Sequence, residues 1–195
     1  LAKLGWLASV IRFLGLKPLK MALNRLKIAF MNFKIYLDMD GVLVDLNQGL
    51  INLYGKKYHE MDQSDLWLNR MASNKNFFRH LKPTLYGKIL FDYVNSLVGS
   101  RVEILTAIPY LDYPDIIEDK KYWIQQYISS DVKVNTTVGG LSKADYINSS
   151  KDILIDDTLE NIIAWEKKGA IGIYHNQYQP ERTFLELSMI LLENI

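Results

Sequence analysis

Residues Lys34 to Asp45 read KIYLDMDGVLVD, an apolar run that stops at two carboxylates and a glycine. Phe33 to Leu37 have the length and the apolar, aromatic and β-branched character of a buried strand, with no breaker among them. Asp38 and Asp40 follow at its carboxyl end with one residue between them. Loops leaving the carboxyl ends of parallel strands line the crevice where open α/β sheets hold their ligands. Gly41 carries no Cβ, so the chain can turn sharply there and come close to whatever lies beside the two acids. Two carboxylates at this separation repel unless a cation or a shared proton intervenes.

Downstream of this stretch, Leu46 to about Leu97 is mainly helical in pattern. Asn47 to Tyr54 continues out of the acidic loop as a helix closed by Gly55. Trp67, Phe77, Phe78 and the punctuating Pro83 follow, and Tyr86 to Leu97 forms a further helix. An insert just after such a loop is positioned to fold over it as a lid. Its rings mostly supply a small core, with one or two left to stack on a planar base.

Beyond the insert, helices and apolar runs alternate. Val102 to Leu105 is a second strand that ends at Thr106, and Ile116 to Tyr127 is a helix after the loop marked by Pro109 and Pro114. Val132 to Val138 is a third strand, broken by Gly139 and Gly140, and Lys143 heads the short helix that holds Tyr146 and Ile147. Ile153 to Ile155 is a fourth strand, stopping at Asp156 and Asp157. Leu159 to Lys168 is a helix closed by Gly169, and Ala170 to Tyr174 is a fifth strand. This alternation predicts an α/β fold, a Rossmann-like parallel sheet of about five strands with helices on both faces and a small helical cap inserted after the first strand. The expected organisation is a basic apolar extension over 1–30, a core over 31–45 and 98–195, and the cap over 46–97.

Composition bounds the function. With 195 residues, 49% hydrophobic and 23% charged, the chain is large enough for one folded domain with an insert. The absence of cysteine excludes a disulfide framework and thiolate chemistry, and leans toward a reducing compartment such as the cytoplasm. Six of the 23 basic residues (Lys3, Arg12, Lys17, Lys20, Arg25 and Lys27) precede Met31 and no acid appears until Asp38, leaving 17 against 22 acids, about −5, from Met31 onward. That balance gives the body no basic face for a nucleic-acid polymer. Leu4 to Leu16 is too short to cross a hydrocarbon core, which needs about 20 residues. Leu19, Leu23, Leu26 and Phe30 fall on one helical face, so the extension reads as a flanking helix or upstream translated sequence. Its other reading is a basic amphipathic leader for an organelle or a membrane surface, the one route to membrane contact. Nothing in the sequence excludes a homodimer.

Three strand tips thus end in functional groups: Asp38 and Asp40, Thr106, and Asp156 and Asp157, with Lys143 just before the last. In a parallel sheet all tips point one way, so these residues converge. Four carboxylates, a hydroxyl and an ammonium are what phosphoryl transfer to a carboxylate requires. Magnesium takes oxygen ligands, commonly one or two carboxylates with substrate phosphate and water. Together with Lys143 it would neutralise a phosphate dianion that otherwise repels an attacking Asp38. Asp40 would protonate the leaving oxygen and later deprotonate the hydrolytic water.

DMDGVLVD, ILTAIP, LSKADYI and ILIDDTLENI resemble, in order and spacing, the four motifs of the haloacid dehalogenase superfamily of phosphatases. The resemblance covers about Phe33 to Asn176. It implies Asp38 as nucleophile and metal ligand, and Asp40 as acid/base with its backbone carbonyl on magnesium. It further implies Thr106 donating to phosphate, Lys143 on the phosphoryl oxygens, and the Asp156 and Asp157 pair completing the metal site. NFFRHLKP, DKKYWIQQY and LIDDTLENIIAWEKKGAIGIYHN look more specifically like the 5'-deoxyribonucleotidases, which dephosphorylate deoxynucleoside monophosphates beneath a small helical cap whose aromatics hold the base. Substrate contacts are accordingly expected from Thr106, Ala107, Lys143, Leu46, Trp67 and Phe78. Two departures stand out: Leu46 where relatives carry an aromatic, and Thr-Ala in place of Thr-Ser in the second motif.

Other readings compete. Asp38 and Asp40 could form a helix cap, although a cap needs one carboxylate. Trp165 reads as packing, Asn161 as a loop brace and His175 as a surface histidine, while His59 and His80 lack metal-ligand spacing. The substrate could instead be a sugar phosphate or another small phosphoester, or the fold could serve as a non-catalytic or membrane-docked binding module.

Overall fold

The computed structural model describes residues 30, 32–61, 76–108 and 114–193. Five strands, β1 Lys34–Leu37, β2 Val102–Ile108, β3 Lys133–Val138, β4 Asp152–Asp156 and β5 Ile171–Tyr174, form one sheet in the order β3-β2-β1-β4-β5. Every pairing is parallel, with Leu37 beside Ile104 on one side and Ile155 on the other. The α/β parallel sheet expected from the alternation is therefore present. The strand order reverses at β1, which puts the acidic loop at the switch point where such sheets open a crevice.

Alternation along the buried strands divides the core into two layers. Ile35, Leu37, Ile104, Ile153 and Ile155 face one side, joined by Leu90 and Phe91 of α2 (Gly87–Val98), Trp123 and Ile124 of α3 (Pro114–Tyr127), and Leu187 and Leu191 of α5 (Pro180–Glu193). Tyr36, Leu105 and Leu154 face the other, against Ile162 and Trp165 of α4 (Leu159–Lys167). With both faces covered, the strands read as continuous apolar runs. Tyr36 meets Trp165 edge to face at 5.4 Å, and Trp165 donates through Nε1 to the Asp152 carbonyl, so the tryptophan is packing, as expected.

Two strands run further than their apolar letters suggest. Thr106 lies within β2, where it pairs with Thr136, and Asp156 lies within β4, beside Tyr174. Helix α5 has no counterpart in the sequence expectations. Helix α2, from the second half of the 46–97 segment, packs on β1 and β2. The first half supplies α1 (Leu46–Tyr54), capped by Asp45, whose side chain accepts from the Gln48 amide, and ended by Gly55 in the left-handed region. Residues 1–29, Trp67 and Pro109 lie outside the described residues, and with them nearly all of the predicted extension. Among the described residues no helix is long and apolar enough to cross a membrane.

Candidate active site

The acidic loop is held from below. Met39, Val42, Leu43 and Val44 are fully buried, so the loop is anchored by its apolar residues, with Asp38 buried and Asp40 half-buried at the cavity. The amides of Leu43 and Val44 both donate to the Met39 carbonyl, and the Gly41 amide donates to the Val44 carbonyl at 2.8 Å. Thr84 fastens the loop from outside, donating through Oγ1 to the Val42 carbonyl at 2.8 Å. At Gly41 the backbone takes a φ of 74°, which side chains other than glycine's resist.

Asp38, Asp156 and Asp157 each bring a carboxylate oxygen within 4.8 Å of the others, a group able to hold a metal ion. Lys143, from the 3-10 turn Leu141–Tyr146, is 1% exposed and bridges Asp38 Oδ1 and Asp156 Oδ2 at 2.7 Å each. It is therefore no solvated surface lysine. Asp156 is saturated: its carboxylate also accepts from the Thr158 amide at 2.9 Å and from Asn161 Nδ2 at 3.1 Å. Asn161 is thus a brace on Asp156. Asp157 borders the cavity instead, and its side-chain hydrogen bond with Thr158 Oγ1 is long at 3.4 Å.

The electrostatics match that crowding. Burial pushes the Asp38 carboxyl well above the usual range, Lys143 opposes this, and Asp156, Asp40 and Asp157 add to it. Burial and then the Asp156 charge push Asp157 up to about 7. Burial alone would lower the Lys143 ammonium, but the Asp156 and Asp38 carboxylates more than offset it and hold it raised. One lysine does not neutralise three acids at this spacing. An all-oxygen donor set with surplus negative charge fits a hard divalent cation such as magnesium.

A cavity of about 740 Å³ opens over these groups, within the range of small-molecule sites. Asp38, Asp40, Lys143 and Asp157 form its floor, Ala107, Gly139 and Gly140 one wall, and Leu46, Asn47, Tyr58 and His59 border it from the insert. Thr106 is fully buried and lies behind this lining, where its Oγ1 accepts from Lys120 at 2.8 Å. Phe78, 1% exposed, sits in the core with Lys120 over its ring and is not part of the cavity wall. His175, expected at the surface, is 2% exposed: its amide donates to the Asp156 carbonyl and its Nδ1 pairs with Thr183 Oγ1 at 2.9 Å.

Sequence reasoning missed Asn47, Tyr58 and His59 on the cavity and Lys120 beneath it. Ile116, Lys120, Trp123, Ile124 and Ile128 follow helical spacing along one buried face. A lysine on that stripe was the available signal.

The fold and the site together define a class, an α/β protein whose parallel sheet gathers a lysine-braced triad of aspartates, able to hold a metal ion, at its carboxyl edge. No family model matches the chain. A curated relative from Vibrio phage KVP40, described as "Putative 5'(3')-deoxyribonucleotidase", is 28% identical over 96 residues, which is 48% of this chain and 50% of that protein. The chain thus spans about half the length of the curated relative it matches. Among solved structures it is similar to a hydrolase from Pseudomonas syringae (14% identity, TM-score 0.45, 77% of this chain and 89% of that one). It is also similar to a HAD hydrolase, family IA, variant 3, from Entamoeba histolytica (16%, 0.42, 78% and 88%) and to a hydrolase from Streptococcus pneumoniae TIGR4 (13%, 0.44, 78% and 97%). The fold assignment rests on the strand order and register themselves.

Proposed function

We propose that this chain is a magnesium-dependent phosphatase of the haloacid dehalogenase type, acting on nucleoside 5'-monophosphates, deoxy forms foremost. The observation that carries the reading is the Asp38, Asp156 and Asp157 cluster, bridged by Lys143 at 2.7 Å on two sides. The four motifs and the phage relative's description support it.

Asp38 Oδ1 is occupied by Lys143 and by the Met39 amide, which leaves Oδ2 as the attacking oxygen. A bond forms from that oxygen to phosphorus as the bond to the nucleoside 5' oxygen breaks, and Asp40 gives its proton to the departing oxygen. Asp40 then takes a proton from water as the water oxygen bonds to phosphorus, the Asp38 to phosphorus bond breaks, and inorganic phosphate leaves. Lys143 holds the phosphoryl oxygens, and Thr106 with the Ala107 backbone shapes the seat for them.

Asp38 and Asp157, which line the cavity, would hold magnesium with the Asp40 backbone carbonyl, and Asp156, fully buried behind them, would brace Lys143 and Asn161. When bound, the ion supplies positive charge that offsets the phosphate dianion. The first part of the 46–97 segment supplies the cap side of the cavity, with Leu46, Tyr58 and His59 toward the nucleoside.

Phosphate release from a panel of nucleoside monophosphates and sugar phosphates, with and without magnesium, tests the reading. It predicts magnesium-dependent release that favours nucleotides, and at least about a 10³-fold loss in Asp38→Asn with the circular dichroism spectrum kept. Hydrolysis by that variant at near wild-type rate would refute it.

A further inference from the structure

Lys120 enters the site from α3, outside all four motifs. Its ammonium has three hydrogens and three acceptors: Asp40 Oδ2 at 2.5 Å, Thr106 Oγ1 at 2.8 Å and the Ala107 carbonyl at 3.0 Å. The side chain is 1% exposed and lies 4.7 Å over the Phe78 ring. Its helix is pinned on either side, since Asp119 pairs with Arg79 at 2.5 Å and Trp123 Nε1 donates to the Leu81 carbonyl at 2.8 Å. The ammonium is therefore delivered to one place by a rigid element.

Two consequences follow from hydrogen-bond polarity. An ammonium only donates, so Thr106 Oγ1 accepts in this contact, and its own hydrogen is directed to another partner. Asp40 Oδ2 is likewise taken, which leaves Oδ1 as the oxygen free to carry a proton. Among the described residues, Asp40 Oδ1 is the buried side-chain oxygen or nitrogen left without a hydrogen-bond partner. An orphaned buried oxygen costs stability, on the order of 1–3 kcal/mol, and calls for a functional explanation.

We propose that Lys120 is the positioning residue of the acid/base step, clamping Asp40 by Oδ2 so that Oδ1 exchanges the proton with the leaving oxygen and with water. This rests on the phosphatase reading above. Lys120 does not touch substrate; it acts through Asp40, and it ties that carboxylate to Thr106 on the neighbouring strand.

A leaving group's need for a proton separates this role from simple core packing. A nucleoside 5' oxygen departs as a strong base and needs protonation, whereas p-nitrophenolate leaves unaided. We expect Lys120→Met to lower kcat/KM for a deoxynucleoside monophosphate by about 10²-fold or more, the usual contribution of a general acid. For p-nitrophenyl phosphate the loss should stay under about 10-fold, the gap between the esters being the readout. Asp40→Asn with Lys120→Met removes both charges together and guards against misfolding of the single variant. The double variant should hydrolyse the nucleotide no more slowly than Asp40→Asn alone. Equal losses on both esters in Lys120→Met, no loss on either, or losses that multiply in the double variant would overturn the assignment while the phosphatase reading stood. A wild-type chain inert toward both esters would overturn both.

Discussion

A Cβ on Gly41 would stand 1.9 Å from Oδ2 of Asp157, so the two outer arms of the acidic centre close on each other only because residue 41 has no side chain. The left-handed backbone there adds strain to any replacement, about 1–2 kcal/mol. Gly41→Ala is expected to melt cooperatively at a modestly lower temperature. Its magnesium affinity, read by calorimetry, should fall at least about 10-fold because Asp157 is driven from its place. Unchanged affinity would mean that Asp157 lies outside the ion's coordination.

Asp157 also gives the magnesium-free protein a pH signature. Its carboxyl, near 3.8 ordinarily, stands at about 7 in the fold, so between those values the folded state keeps a proton that the unfolded chain has lost. That contribution to stability is complete below about 4 and is lost as pH rises through 7. His175 works in the opposite sense. Burial lowers it to about 4 from 6.5, so its contribution is present above 6.5 and disappears as pH falls toward 4. Comparing wild type with Asp157→Asn isolates the first effect. In chelator, the wild-type melting temperature should fall relative to the variant's between about pH 4 and 7, and magnesium at pH 8 should restore it in wild type alone. Parallel curves would contradict the assignment.

Lys143 is the sole described cation within ion-pair distance of Asp38 and Asp156. Lys143→Met leaves both buried carboxylates facing each other without a counter-charge, a change that commonly costs about 3–5 kcal/mol. Urea titration in chelator should show that loss, and magnesium should recover part of it. A loss under about 1 kcal/mol would mean that Lys143 is dispensable to the acids' burial.

Much of this arrangement was legible in the letters, and the exceptions have physical causes. β1 and its acidic exit are written locally, in an apolar run, two aspartates and a glycine, and the other strand tips repeat the pattern. Thr106 and Asp156 look like residues beyond a strand because they are polar. They remain in the sheet because Lys120 and Lys143 satisfy them there, and those partners sit 14 and 13 residues away. His175 looks like a surface residue until α5 delivers Thr183 to its ring. Phe78 looks like a ring for a nucleobase, but the fold spends its face on Lys120. Each case turns on a partner from another element, which periodicity along one element does not reveal.

The central claim is that Asp38 carries the phosphoryl group between substrate and water. Asp40→Asn mixed with p-nitrophenyl phosphate and magnesium should form that intermediate readily, because p-nitrophenolate needs no proton, and should hydrolyse it slowly. Acid quenching, borohydride reduction and peptide mass analysis would then read the site directly. The account predicts a burst of one p-nitrophenolate per chain and homoserine at position 38. A burst with no change at Asp38, or a phosphoryl group on any other residue, would contradict it.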